Sequence, residues 1–288
     1  MADLTSLEQT LWSTKLKMAF EAQASYAKAI NYDWQSEMVL KKGMVVAIDT
    51  ITGVVVEPYT GAPIVTDGDD LVSDDIQLVI DQASQLHFKV KDYDQAQIFV
   101  NLTSEGIKLA VPKVKAAIET ALAGEYVNVL TGNTIGETLT PVTPVVTEGT
   151  GNVYETLVDA SVLLDEKNVP DTDRAVILPP WVYAYLQKDD RFIAKSTATS
   201  ETALSTGYVG EAAGFSIYKS NFVAKDGDTW KVMAMHRSAV TMAMFLDKIV
   251  VSQMEKEFAT LFKELVLFGI KTVYPESMVV VTFGKAGA

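Results

Sequence analysis

Residues 90–130 read VKDYDQAQIFVNLTSEGIKLAVPKVKAAIETALAGEYVNVL, and the way this stretch folds decides the architecture. It is the longest run of helix-forming composition in the chain. At 3.6 residues per turn, Val111, Val114, Ile118, Leu122, Tyr126 and Val129 fall on one side of a helix. The opposite side holds Ala116, Ala117, Thr120, Ala123 and Val127, small uncharged residues where a surface helix carries Lys and Glu. Lys115, Glu119 and Glu125 sit near the margins of the apolar side. This pattern predicts a spine helix over 111–130, covered on more than one side. Pro112 fits its first turn, where the missing N–H is harmless. The alternative is a kink at Pro112, with 94–106 forming a separate short helix before it.

On the N-terminal side of the spine the pattern changes to strands. Met38–Asp49 and Val54–Glu57 are rich in β-branched and apolar residues, with a turn-like Thr50–Gly53 between them. Two turn-rich pieces follow, at 59–63 and 66–70. In Ile76–Asp81 and Gln85–Lys91 apolar and polar residues alternate, which predicts one covered and one wet face. The region is predicted to be a β-meander or long hairpin that ends at the spine. Residues 5–30 are predicted to be helical, with Ser6 and Gln9 placed for a capping box. Leu7, Leu11, Trp12, Leu16, Met18, Phe20 and Tyr26 wrap most of the way round that helix. It is either an arm docking on other parts or copies of the protein, or an ordinary buried terminal helix.

On the C-terminal side, 131–151 is rich in Thr, Gly and Pro and predicts a loop. Tyr154, Leu157, Ala160 and Leu164 mark an amphipathic helix ending at Asn168, with Pro170 just beyond. Ala175–Leu178 is a short buried strand, and Pro179-Pro180 opens a helix running to about Lys188. Residues 189–210 are predicted to be a surface loop. Phe215–Lys219 and Trp230–Met235 are predicted strands around a turn at 225–228. Ala239–Leu246 is ambiguous between helix and strand. Ile249–Glu255, Leu265–Val273 and Met278–Phe283 are predicted strands, broken at Tyr274-Pro275-Glu276.

Composition bounds the function. The 288 residues are 48% hydrophobic and 21% charged, which suits one large or two smaller folded domains. A net charge of −13 disfavours a protein that grips nucleic acid, which normally presents a basic patch. The absence of cysteine excludes disulfides, thiolate catalysis and Cys-based metal or Fe–S sites. The first 30 residues lack the pattern of a secretion signal, and no apolar run reaches the ~18 residues that span a membrane. A soluble protein folded in a reducing cytoplasm, without membrane contact, is expected.

The candidate chemistry is sparse. His87 lies on the polar side of a predicted strand and His236 ends another, without metal-ligand spacing between them. Ser216, in Gly214-Phe-Ser-Ile-Tyr218, lacks the second glycine of a nucleophile elbow. Gly132-Asn-Thr-Ile-Gly136 lacks the Lys-Ser/Thr of a phosphate-binding loop, and no dinucleotide fingerprint occurs. The acidic run from Asp67 to Asp75 offers carboxylates for a hard cation but not the ligand order of an EF-hand. It reads otherwise as a solvated loop tip, or as a tip meeting a basic patch on a neighbouring copy. Asn101 matches a glycosylation sequon that has no meaning without secretion. The expectation is therefore no catalytic residue, no cofactor, no metal site and no enzymatic activity.

The order of parts carries more information: arm, long β-loop, spine helix, mixed α/β region, returning strands. Phe88-Lys-Val-Lys-Asp-Tyr-Asp-Gln-Ala-Gln97 stands at the junction of β-loop and spine. Leu163-Leu-Asp-Glu-Lys-Asn-Val-Pro170 is followed by Arg174-Ala-Val-Ile-Leu-Pro-Pro180, then by Gly207-Tyr-Val-Gly-Glu-Ala-Ala-Gly-Phe215. Phe268-Gly-Ile-Lys-Thr-Val-Tyr-Pro-Glu-Ser-Met-Val-Val closes the series. In this order the segments resemble the major capsid proteins of tailed bacteriophages, the HK97-like fold. Phe268 replaces a Tyr of that pattern, and Tyr274 stands where a basic residue is frequent.

The resemblance implies an α+β fold with an N-terminal arm at 1–37 and an extended β-hairpin E-loop at 38–90. It implies a peripheral domain from 91–130, with the spine helix, and 239–288, and an axial domain at 131–238. It also implies a virion protein assembled in the bacterial cytoplasm, forming pentamers and hexamers of an icosahedral shell around double-stranded DNA that it does not bind specifically. Expected partners are a scaffolding protein, a portal and decoration proteins. The start of the chain close to the arm implies that any scaffold is a separate protein. The nearest rival is an encapsulin-like compartment shell, which shares the fold. Others are a cytoplasmic enzyme with an unlocated acidic site, and a mostly β tail-tube or decoration protein.

Overall fold

A computed structural model describes residues 25–33, 45–52, 72–91, 102–189, 210–246 and 250–285. The spine helix, α1, spans Leu102–Ala123 and continues as a 3-10 turn over Gly124–Asn128. It begins ten residues before Pro112, so the proline stands inside the helix and not in its first turn. One i→i−4 bond is lost there, and the ring lies on the exposed side. Residues 102–106 belong to the same helix, so the separate short helix over 94–106 does not form as such; 94–101 lie outside the described residues.

The expected apolar side of α1 is inward: Val114, Ile118 and Leu122 are buried, and Tyr126 and Val129 pack half-buried against the same core. The opposite side differs from the expectation. Ala123 is buried, but Ala117 and Thr120 are exposed and Val127 is 66% exposed, so the described residues do not cover this face along its length.

Strand β1 (Val45–Thr52) pairs antiparallel with β2 (Val72–Val79), Val45 opposite Val79 and Thr52 opposite Val72. The expected turn at Thr50–Gly53 is strand as far as Thr52, because Thr50, Ile51 and Thr52 favour the pleat and find partners in Val72-Ser73-Asp74. The strand expected at Val54–Glu57 and the turns at 59–63 and 66–70 lie outside the described residues, as does most of the helix expected over 5–30. Strand β3 (Gln82–Lys91) leaves this hairpin and joins another sheet. Segment 38–90 is therefore not one meander. The strict alternation read in β3 holds, half-buried with exposed. Its apolar side needs cover, which the two-stranded hairpin does not supply. Phe88 finds it between Phe262, stacked at 5.0 Å between centroids, and Gly106 of α1, where a Cβ would approach the Phe88 ring to 2.6 Å.

The sheet that β3 joins contains β10 (Val240–Leu246), β11 (Val250–Gln253) and β12 (Ala259–Thr272), with β12 in the middle. Residues 240–246, ambiguous in sequence, are strand because each pairs with β12. The second sheet has seven strands, in the order β4 (Thr134–Ile135), β13 (Met278–Gly284), β9 (Thr229–His236), β5 (Arg174–Leu178), β7 (Phe215–Lys219), β6 (Glu211–Ala212). β8 (Ala224–Asp226) pairs with β9 in a hairpin. Segment 239–288 is thus split. β10 to β12 lie in the four-stranded sheet, whereas β13 pairs with β9 and β4 in the sheet built from 131–238.

Helices α2 (Val153–Asp165) and α3 (Pro180–Gln187) accompany the seven-stranded sheet at the expected positions. One large core runs through both sheets' neighbourhoods, joining Tyr26 and Ile30, the spine, both helices and the strands. A small second core of Ile48, Leu78 and Ile80 against Ala243, Leu267 and Val273 seats the root of the β1–β2 hairpin on β10 and β12.

Candidate functional site

The residues singled out for chemistry are dispersed. His87 is exposed on β3, opposite Lys263. His236, at the end of β9, contacts the Ser238 hydroxyl through Nδ1 at 2.7 Å. Burial holds its pKa below the ordinary value, opposed by Asp173 and reinforced by Arg174. Ser216 is half-buried in β7 between Ala175 and Glu211, and His236 bonds Ser238 in its stead. In the Gly132–Gly136 stretch, buried Asn133 donates to the carbonyls of Glu276 (2.9 Å) and Met278 (3.1 Å), so the turn anchors the chain entering β13. Asp74 and Asp75 are strand residues opposite Thr50 and Asp49, while 67–71 and Asn101 lie outside the described residues. Among the described residues no group of three or more His, Asp or Glu is arranged for a metal, and no helix is long and apolar enough to cross a membrane.

What the fold does build is a set of joints between segments. The first lies on α1. Glu119 is fully buried on the apolar side of the helix, not at its margin. Its Oε1 accepts the backbone N–H of Ser25 and that of Tyr26 (3.2 Å), and its Oε2 accepts the Ser220 hydroxyl (2.9 Å). The Ser25 hydroxyl donates in turn to the Lys219 carbonyl at 2.8 Å. One carboxylate thus ties the N-terminal segment, the spine and the end of β7. The segment continues onto β10, with Asn31 N–H donating to Val240 and Met242 N–H donating to Asn31, both at 3.1 Å. Tyr26 is buried beside this joint, and burial, with Glu119 adding to it, pushes its phenol well above the usual range.

The second joint explains the Leu163–Arg174 motif. α2 ends at Asp165, and Asn168 takes the left-handed conformation (φ 56°) that reverses the chain. Buried Val169 follows, and Arg174 opens β5 with its guanidinium under the turn. Its Nε donates to Pro170 O (2.8 Å), Nη1 to Ser161 Oγ (3.1 Å), and Nη2 to Val169 O (2.6 Å) and Asp165 Oδ1 (2.7 Å). The fork of arginine satisfies two carbonyls, a hydroxyl and a carboxylate at once, more acceptors than the N–H groups of a lysine ammonium can serve. At the other end of α2, Asn152 caps the helix, accepting from Tyr154 N–H (2.9 Å) and Glu155 N–H (3.2 Å).

The third joint is in the motif beginning at Phe268. A Cβ on Gly269 would collide with the carbonyl oxygen of Val79, a backbone atom with nowhere to turn. Glycine lets the root of the β1–β2 hairpin cross β12 in contact with its backbone. Sequence patterns flag such a position only as an isolated glycine in a strand, a sign of close backbone approach. Glu119 offered the complementary sign, a lone carboxylate among the apolar positions of a helix.

Apolar side chains are also exposed among the described residues: Leu109 (70% exposed) and Val127 on the spine, and Phe258 (91% exposed) at the tip of the β11–β12 hairpin.

Comparison with known proteins agrees with this reading. The chain is similar in structure to a protein of Mycobacterium phage Che8, at 23% identity and a TM-score of 0.68, over 91% of this chain and 91% of that one. It is similar to the capsid structure of Cyanophage P-SCSP1u, at 15% identity and a TM-score of 0.65, over 86% and 85%. A virus-like particle from Pyrococcus furiosus matches at 15% identity and a TM-score of 0.55, over 93% and 96%. A sequence search of curated proteins returns no match. The family model described as phage capsid protein matches residues 89–281, more than half of the chain, from β3 through the spine and both sheets to β13. The chain therefore belongs to the phage capsid protein family: it is a major capsid protein of HK97-like fold, whose copies form the virion shell.

Proposed function

We propose that copies of this chain, as pentamers and hexamers, close an icosahedral shell around packaged double-stranded DNA. The role is structural, without turnover. The observation that carries the reading is the hairpin root, in which β1 and β2, among the described strands, pair only with each other while a small core fixes one end to β10 and β12. A strand pair held at its base and paired to no other described strand is suited to reach a neighbour. On this reading the N-terminal arm is 1–37, and the E-loop is 38–81, since β3 belongs to the four-stranded sheet. The peripheral domain comprises 82–130 with 239–273. The axial domain comprises 131–238 together with β13.

A net charge of −13 fits a wall beside DNA, because a wall that bound DNA tightly would obstruct packaging. Assembly in the bacterial cytoplasm with a scaffolding protein, a portal and decoration proteins belongs to the same proposal. Obligate contacts between copies should bury more than about 2,000 Å² each.

Electron microscopy of the protein, expressed alone and with its neighbouring genes, tests this. Closed shells or five- and six-membered rings are expected; a monomer that persists at high concentration overturns it. Removing 60–70, between β1 and β2, should leave the subunit folded and abolish shells, and shells of normal yield would refute the E-loop role. Nuclease-protected DNA inside particles from infected cells distinguishes a virion from a compartment filled with protein.

A further inference from the structure

Phe258 is held outward, not merely left there. At the tip of the β11–β12 hairpin, Met254 N–H donates to Ala259 O at 3.0 Å and Ala259 N–H to Glu257 O at 2.9 Å. Lys89 of β3 reaches Glu257 at 2.7 Å and holds its carboxyl below the usual range. An aromatic side chain carried on a tied hairpin spares the backbone ordering cost of docking, and aromatic anchors of this kind dominate interface energies.

The same sheet offers a seat. On its outer face Val250 (51% exposed) and Leu265 (39% exposed) floor a depression bordered by Gln85, His87 and Lys263. Glu264, which also lines it, is buried. Two other depressions are rimmed by acids, one by Glu155 and Asp159 beside α2, the other by Asp171, Asp173 and Glu211 beside β7. The tip carries Glu255 and Glu257 beside Lys256 and is repelled by both. Phe258 cannot reach the Val250–Leu265 face of its own subunit. Leu265 lies six residues along β12 from Ala259, about 20 Å at the rise of a strand.

We infer that the β11–β12 tip of one subunit docks Phe258 on the Val250–Leu265 face of a second copy. Tip and seat are different patches, so the contact is head-to-tail, and repetition closes a ring when the rotation permits. The inference rests on the shell-forming reading and identifies one contact within it.

The chain has no cysteine, so introduced pairs report without background. Lys256→Cys with Gln85→Cys places one thiol beside Phe258 and one at the rim of the seat, leaving Phe258, Val250 and Leu265 in place. Their separation within a subunit far exceeds the ~7 Å Cα limit for a disulfide. Oxidised shells of the double variant should give covalent multimers on a non-reducing gel, and each single variant none. Adding Phe258→Ser should abolish the multimers and lower shell yield roughly tenfold or more, with the melting of the unassembled subunit unchanged. Normal shells without multimers, or multimers and yield indifferent to Phe258→Ser, overturn the contact. Failure of the unaltered chain to form shells overturns the broader reading instead.

Discussion

Replacing Glu119 by alanine tests how the N-terminal segment is fixed to the body. The side chain accepts hydrogen bonds from Ser25 N–H, Tyr26 N–H and Ser220 Oγ, in a site where Glu119 itself has no exposed surface. Hydrogen bonds to a carboxylate contribute about 1.5–3 kcal/mol each, and an orphaned buried donor costs a similar amount. Ser25 is only part-buried, and its N–H can turn to water. That leaves the Tyr26 amide and the Ser220 hydroxyl to bear most of the loss, roughly 3–5 kcal/mol in all. The loss falls on local opening of residues 25–33 as well as on global stability. Hydrogen exchange of the unassembled subunit reads it directly. Protection of the Ser25 and Tyr26 amides should fall about a hundredfold or more, since ~1.4 kcal/mol is tenfold. Amides in β13, on the far side of the core, should change only as much as global stability does. Glu119→Gln, which retains one oxygen for the amides and offers its NH2 to the Ser220 oxygen, should recover most of the protection. Unchanged protection in the alanine variant would show that the segment is held by Tyr26 and Ile30 packing and by the Asn31 and Ser25 hydroxyl bonds without the carboxylate, and the joint would lose its meaning.

Gly269→Ala should lift the hairpin root from β12, costing ~1–3 kcal/mol as an overpacked core does; an unaltered melting temperature and shell yield refute that. Ala123→Glu buries a charge against the core and should cost more than ~3 kcal/mol, whereas Ala117→Glu, on the exposed side, should stay within ~0.5 kcal/mol in urea unfolding of the subunit. For His236, the folded pKa lies below the unfolded value near 6.5, so the unfolded chain takes up the proton first. Stability should therefore decline as pH falls below the unfolded value and level off below the folded one, and His236→Gln should flatten the part of that slope it contributes. Equal urea midpoints for the two proteins at about pH 7.5 and at about pH 5.5 would contradict the assignment.

Local elements were legible in the residues themselves. The Val114, Ile118, Leu122 spacing, the alternation through β3 and the Pro179-Pro180 start depend on neighbours a few positions away, and each stands where the pattern placed it; the helix expected to end at Asn168 stops three residues earlier, at Asp165, and Asn168 instead reverses the chain. The residues flagged for catalysis are dispersed. The joints went unread because their meaning depends on remote partners: Glu119 on Ser25 and Ser220, Gly269 on Val79.

By itself, then, the sequence determined the order and type of most of the described elements, the buried face of the spine and the alternation of β3, and the absence of cysteine chemistry. Its motifs, in order, pointed to the family. Only the tertiary structure decided that β3 leaves the hairpin for β12, that β13 crosses to the seven-stranded sheet, and that Pro112 lies within the spine. Periodicity states that a face must be covered, but strand pairing is chosen by contacts between residues far apart in the chain, here Phe88 with Phe262 and Gly106. The face of α1 with few charges makes the point once more. Its composition said that something covers it, and the fold shows that much of the cover at Ala117, Thr120 and Val127 does not come from the described part of the subunit.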